Sequence, residues 1–372
     1  MGAQMFVTEA SMQDAARTAY ASVAGALPNA RALPWAAFSD PQVFAAEVRE
    51  VLHAGWLPVA RESDLVRVGD YRSVDLAGVP LVVTRDATGQ VHVISRVCRH
   101  RGALVIEGAG NAKAFTCPYH LWRYGLDGRL AAAAGMERSE AFEREQCRLP
   151  AVRTTHWGGW VFANLDGRAD PLEAGLSGLA DRLAEVNPAG MVTADVISLD
   201  SPWNWKLMIE NFLESYHHIG PHSASLQQTN PGLGAWVRES ADLYTVLENP
   251  PAEGHDPFVV AAIFPATLMF FTEGPEPVGV WYELDGIEHQ RFRLRIHLLA
   301  SPDLAAAPEF VEQYRQQVMA VHVEDIAACE VVQKGVMSPL YEPGPLSHLE
   351  ASLWRFHRFL QARLGADSAR AP

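Results

Sequence analysis

The chain has 372 residues, enough for two ordinary domains, and its 48% hydrophobic and 20% charged residues are the proportions of a soluble globular protein. A net charge of −14 argues against nucleic acid as a partner and suits a basic redox partner or a cationic substrate. The chain opens without a basic stretch leading into an apolar core, and its longest apolar run, 258–271, is interrupted by Pro265, so a cytoplasmic location with no membrane partner is expected.

Residues 1–40 are Ala-rich with scattered Pro, and a helix is predicted over 41–54, with Pro41 at its start and Phe44, Val48, Val51 and Leu52 on one face. From Gly55 to Leu165 short β-rich runs alternate with turns. The runs 80–84, 91–94 and 160–164 read as strands, and Asp127-Gly128 is a turn signal.

Within this region lie Cys98-Arg99-His100 and Cys117-Pro118-Tyr119-His120, with residues 101–116 between them. Zinc also takes two Cys and two His, but zinc fingers pair like with like along the chain. Here each half-site supplies one thiolate and one imidazole. Two such half-sites can hold one iron by two sulfurs and a second by two nitrogens, the ligand set of a Rieske [2Fe–2S] centre. Gly102 and Pro118 suit tight loops whose N–H groups face sulfur. The remaining cysteines, Cys147 and Cys329, read as lone buried thiols rather than a disulfide.

Residues 167–190 read as a mostly helical connector, followed by a helix near 204–218, strands near 241–300 and two late helices. The run Phe292–Leu298 alternates as a half-buried strand should. Ser347 and Glu350 form a capping box ahead of an apolar helical face of Leu353, Phe356, Phe359 and Leu360. The fold class is therefore α+β, with a β-rich iron–sulfur domain followed by a helix packed into a curved antiparallel sheet.

A second constellation occupies 203–222, where Glu210, Glu214, His217, His218 and His222 crowd together. Glu210, Glu214 and His217 fall at helical spacings and are predicted to share one face. Gly220-Pro221 then ends the helix and lets His222 turn back toward His217. Two imidazoles and one carboxylate form the facial triad of non-haem Fe(II) oxygenases, leaving positions open for O2 and substrate. The third-ligand candidate is Asp325, placed in mid-helix in a largely apolar stretch where a carboxylate needs a partner. His218 and the other histidines lack ligand spacing. Trp203, Trp205, Phe270, Phe271, Trp281 and Tyr282 are candidates for an aromatic pocket wall, or else ordinary core residues.

Three separated segments, at 98–128, 204–222 and 324–335, resemble in content and order the catalytic α subunits of Rieske non-haem iron oxygenases. The resemblance implies a helix-grip catalytic domain and a division into an N-terminal segment 1–45 packed on the catalytic domain, a Rieske domain 46–166 and a catalytic domain 167–372. It implies a head-to-tail homotrimer in which Glu214 links His217 to His120 of the partner subunit. Electrons are expected from a separate NAD(P)H-dependent reductase or ferredoxin, because the chain has no GxGxxG fingerprint and no second, all-cysteine cluster. The Glu-x-Tyr-His and Glu-Asp-x4-Glu-x2-Gln forms resemble the carnitine- and betaine-type branch, which favours a quaternary ammonium substrate. An aromatic acid or ring is the alternative, and a non-catalytic electron carrier the second alternative.

Overall fold

The computed structural model describes residues 8–365, apart from residues 24 and 239. Ten strands build the first half: β1 (Leu57–Arg61), β2 (Asp70–Leu76), β3 (Val79–Arg85), β4 (Val91–Ser95), β5 (Ala109–Asn111), β6 (Phe115–Thr116), β7 (Arg123–Tyr124), β8 (Leu130–Ala132), β9 (Arg153–Trp157) and β10 (Trp160–Asn164). They form a four-stranded sheet in the order β4-β3-β2-β5 and two three-stranded sheets, β6-β7-β8 and β1-β10-β9. The loops after β4 and β6 carry the two Cys–His half-sites, which a small core of Val82, Ile94, Phe115, Trp122, Tyr124 and Leu149 holds together.

The second half is dominated by one antiparallel sheet of β11 (Val192–Ser201), β12 (Trp236–Val237), β13 (Tyr244–Asn249), β14 (Phe258–Ile263), β15 (Thr267–Thr272), β16 (Gly279–Glu288) and β17 (Arg291–Ala300), in the order β11-β17-β16-β15-β14-β13-β12. Register shifts in β11 and β16 break the ladder, the kind of bulge that curves a sheet. Against this sheet lie the helices Trp205–Phe212, Pro308–Val336 and Ala351–Leu364, sharing one core with Leu268, Val280, Leu294 and Ile296. Ser347 and Glu350 make the expected capping box. In β17 the alternation holds through Ile296; beyond it His297 to Ala300 are all buried, because that end is covered on both faces, with Leu298 in one core and Leu299 in another.

The helix expected over 41–54 runs from Pro41 to His53, its second half, Val48–His53, as a wider π-helix. Two other expectations about helices are corrected. The connector holds only one short α-helix, Ser177–Arg182, flanked by single 3-10 turns. The helix near 204–218 stops at Phe212, and a separate 3-10 turn, Tyr216–Ile219, carries the histidines. Among the cysteines, Cys329 is buried and Cys147 is half-buried, and both are free thiols.

Two polar contacts fix the layers. Glu47 is fully buried and accepts hydrogen bonds from Tyr20 (2.6 Å), Trp205 (3.0 Å) and Lys206 (2.8 Å), tying the N-terminal helices to the start of the catalytic helix. Arg72 on β2 places both Nη2 bonds on Glu283 of β16, at 2.8 and 2.9 Å, and His297 donates to the same carboxylate at 2.6 Å. The β-rich half is thereby seated on the large sheet.

Candidate metal centres

At the first centre the loop after β4 closes through Gly102 N–H to Cys98 O (3.0 Å) and Cys98 N–H to Ala103 O (2.8 Å). Gly102 has φ +76, a conformation that glycine adopts without strain. The second loop closes through Cys117 N–H to Trp122 O, and Leu121 takes φ +59 without being glycine, a strained geometry of the sort found at functional sites. Both thiols are buried, while the two imidazoles are half-buried with ring centroids 4.6 Å apart. His100 stacks on Trp122 at 4.8 Å.

The Nδ1 atoms of His100 and His120 are shielded from solvent and have no hydrogen-bond partner among the described residues. Buried imidazole nitrogens ordinarily have a partner, so these two fit a metal. The donor set of two inner sulfurs and two outer nitrogens fits a [2Fe–2S] cluster with its imidazole side toward the surface. Tyr124 stands within the motif by which the second half-site resembles a Rieske domain, but its role was not evident from the sequence. Its hydroxyl lies 3.2 Å from Cys98 Sγ and accepts from Arg99 N–H at 3.1 Å. Burial, together with the Cys98 contact, raises its pKa and keeps it a hydrogen-bond donor.

At the second centre Asn204 caps the helix Trp205–Phe212, accepting from Lys206 N–H. The chain then leaves the helix, and the Glu214 carboxylate accepts from both His217 N–H (3.0 Å) and His217 Nδ1 (2.7 Å). Gly220 ends the next turn, and His222 comes back beside His217, with ring centroids 5.0 Å apart. Asp325 reaches in from the long helix. Its Oδ1 is 3.0 Å from His222 Nε2 and 3.7 Å from His217 Nε2, and the three ligand atoms lie within 4.8 Å of one another. Both Nε2 atoms face this point while both Nδ1 atoms are held by carboxylates, the tautomer a metal requires.

The clamp on His222 is Glu324, whose Oε2 is 2.6 Å from Nδ1 and 2.5 Å from Ser225 Oγ. Sequence reasoning missed this role, although the adjacent Glu-Asp pair was its signal. Burial pulls the His222 pKa down, but Asp325 and Glu324 outweigh it and the net shift is upward. Asp325 in turn is held below the ordinary carboxyl value, because His222 and His217 overcome the opposing effect of burial.

Glu210 does not join this face: with the helix ended at Phe212 it accepts instead from His357 Nε2 at 2.8 Å. His218 is placed outside the ligand group, as expected. Its Nδ1 donates to Asn230 O at 2.9 Å, and burial pushes its pKa down to about 4.

Beside the triad opens a cavity of about 260 Å³, walled by Phe212, Phe258, Phe270 and Tyr282 and by aliphatic side chains. Of the aromatic candidates, Phe270 and Tyr282 line it. Trp203, Trp205, Phe271 and Trp281 lie in the packed core. Strand register separates them: Phe270 and Phe271 are consecutive on β15 and necessarily face opposite sides of the sheet.

Residues 55–146 match the family described as Rieske [2Fe-2S] domain, and residues 190–366 match the family described as Ring hydroxylating alpha subunit (catalytic domain). Over 209 residues the chain is 36% identical to the glycine betaine monooxygenase oxygenase subunit of Chromohalobacter salexigens, covering 56% of this chain and 47% of that one. It is 34% identical over 192 residues to the carnitine monooxygenase oxygenase subunit of Escherichia coli (strain K12), 51% of each chain. The chain thus spans about half the length of these curated relatives. Among solved structures, a quaternary ammonium Rieske monooxygenase aligns with a TM-score of 0.83 at 22% identity, over 93% of this chain and 98% of that one. Naphthalene 1,2-dioxygenase from Rhodococcus sp. aligns with a TM-score of 0.79 at 18% identity, over 97% and 100%. The chain therefore carries a Rieske [2Fe–2S] domain followed by a ring-hydroxylating α-subunit catalytic domain.

Proposed function

We propose that the chain is the terminal oxygenase component of a multicomponent Rieske non-haem iron oxygenase that hydroxylates or oxidatively demethylates a small quaternary ammonium compound. The reaction inserts one atom of O2 into a C–H bond, and the other leaves as water with two protons and two electrons. The observation that carries the reading is the convergence of His217 Nε2, His222 Nε2 and Asp325 Oδ1 beside the aromatic-walled cavity.

Cys98, His100, Cys117 and His120 hold the [2Fe–2S] cluster in this reading, and His217, His222 and Asp325 hold a mononuclear Fe(II). When bound, the metals supply one-electron transfer and O2 activation. The protein's part is to keep a proton on His217 Nδ1 through Glu214 and on His222 Nδ1 through Glu324, and to seat the substrate in a mostly apolar cavity. Phenyl and phenol faces attract a permanent cation, which supports an ammonium head group, as do the names of the relatives.

The chain functions as a head-to-tail homotrimer in which Glu214 also accepts from His120 of the partner subunit. Exposed Tyr119 and Leu121, 53% and 67% accessible on the cluster loop, support contact at that point. Electrons come from a separate NAD(P)H-dependent reductase or ferredoxin. A three-part division, 1–45, 46–166 and 167–372, is supported by the separate sheets and by family matches over 55–146 and 190–366. A cytoplasmic location suits cluster loading, and among the described residues no helix is long and apolar enough to cross a membrane. The test is O2 uptake by the reconstituted enzyme and reductase with ammonium compounds and aromatic acids, with product masses. Uptake and a product sixteen mass units heavier, or one methyl group lighter, only with an ammonium compound support the reading.

A further inference from the structure

The charges around the cavity narrow the substrate further, an inference that rests on the quaternary ammonium reading. Among the described residues no Lys or Arg lines the cavity. Three basic groups elsewhere in the catalytic half are engaged by carboxylates: Lys206 by Glu47, Arg295 by Asp285 and Arg315 by Asp195. His218, the one lining imidazole outside the triad, is turned to the backbone, with its Nδ1 bonded to Asn230 O at 2.9 Å.

What the cavity offers instead is of two kinds. Two ring pairs line it: Phe212 and Tyr282, with centroids 5.2 Å apart at 64°, and Phe258 and Phe270, 4.8 Å apart at 43°. Neutral polar groups complete it, and the side-chain amides of Asn211 and Gln317 are not engaged in hydrogen bonds with other described residues. A ferrous ion at the triad is balanced in formal charge by Asp325 and Glu214, so it leaves no net positive charge for another carboxylate.

We propose that the substrate is a choline-type cation: a trialkylammonium head against the aromatic walls and a neutral hydrogen-bonding tail, with no carboxylate of its own. A permanent cation keeps most of its stabilisation here, because ring faces replace part of its hydration. A carboxylate brought into the same cavity loses its water and meets no cationic side chain. Zwitterions such as glycine betaine and carnitine are therefore disfavoured relative to choline.

The experiment is isothermal titration of the metal-loaded enzyme, without reductase, with choline, glycine betaine, carnitine and 3,3-dimethylbutan-1-ol, the uncharged carbon isostere of choline. Choline is expected to bind about tenfold or more tightly than each of the other three. Oxygen uptake with reductase should follow the same order. Glycine betaine or carnitine binding as tightly as choline overturns this inference and leaves the quaternary ammonium reading standing. The uncharged isostere binding as tightly as choline removes the role of the cation and overturns both.

Discussion

Glu324 holds the outer nitrogen of His222 at 2.6 Å while Asp325, its neighbour on the same helix, meets the inner nitrogen at 3.0 Å. Successive helical side chains diverge by about 100°, so one residue reaches the metal position and the other reaches behind the ring. The imidazole is left one orientation and one tautomer. Replacing Glu324 with Ala should weaken Fe(II) binding at this centre by about 10- to 100-fold, with a smaller loss for Glu324→Gln. Ferrous titration of enzyme stripped of its mononuclear iron measures it; unchanged affinity in both variants contradicts the role.

Glu214 grips His217 in the same way, and in the proposed trimer it also faces the partner's cluster. Glu214→Gln should keep the visible absorption of the cluster and slow its reoxidation in a single turnover by about 10- to 100-fold. Stopped-flow absorption of the pre-reduced enzyme mixed with O2 and substrate reads this directly. Reoxidation at the wild-type rate removes Glu214 from the electron path.

Tyr124 donates to the Cys98 sulfur, and hydrogen bonds to cluster sulfurs raise the reduction potential. A bond whose strength differs by about 1.4 kcal/mol between the two redox states corresponds to roughly 60 mV for a one-electron couple. Tyr124→Phe should lower the potential by that order in a redox titration, with the cluster spectrum retained.

The Arg72–Glu283–His297 group makes stability depend on acid. Burial pushes the Glu283 carboxyl up, but Arg72 and His297 outweigh it and hold it at about 2, against an ordinary 4.5. A carboxyl with a depressed folded value contributes its stability above its unfolded value. That contribution should shrink as pH falls from 4.5 toward 2, visible in urea melts across this range. Arg72→Ala leaves a buried carboxylate uncompensated and should cost about 3–5 kcal/mol at neutral pH. The double variant Arg72→Met, Glu283→Leu should recover much of that loss.

The metal-ligating candidates were legible because ligand chemistry confines them to short segments with fixed spacing. Asp325 was legible because a carboxylate in an apolar helical stretch needs a reason. The end of the catalytic helix was not. Glu210, Glu214 and His217 have helical spacing, but the Glu214 side chain takes the backbone N–H of His217 and competes with the helical bond. The aromatic wall was only partly legible, since membership depends on strand register and on helices far away in sequence. Contacts such as Glu47 with Lys206 and Arg72 with Glu283 join residues more than 150 positions apart and leave no local signature.

One chain is expected to carry a paired-iron cluster and a separate single iron. Iron analysis of the fully loaded wild type and of Asp325→Ala, with the cluster absorption recorded on the same samples, tests it. About three irons per chain are expected in the wild type and about two in the variant, with equal cluster absorption. About two irons in both proteins would contradict it.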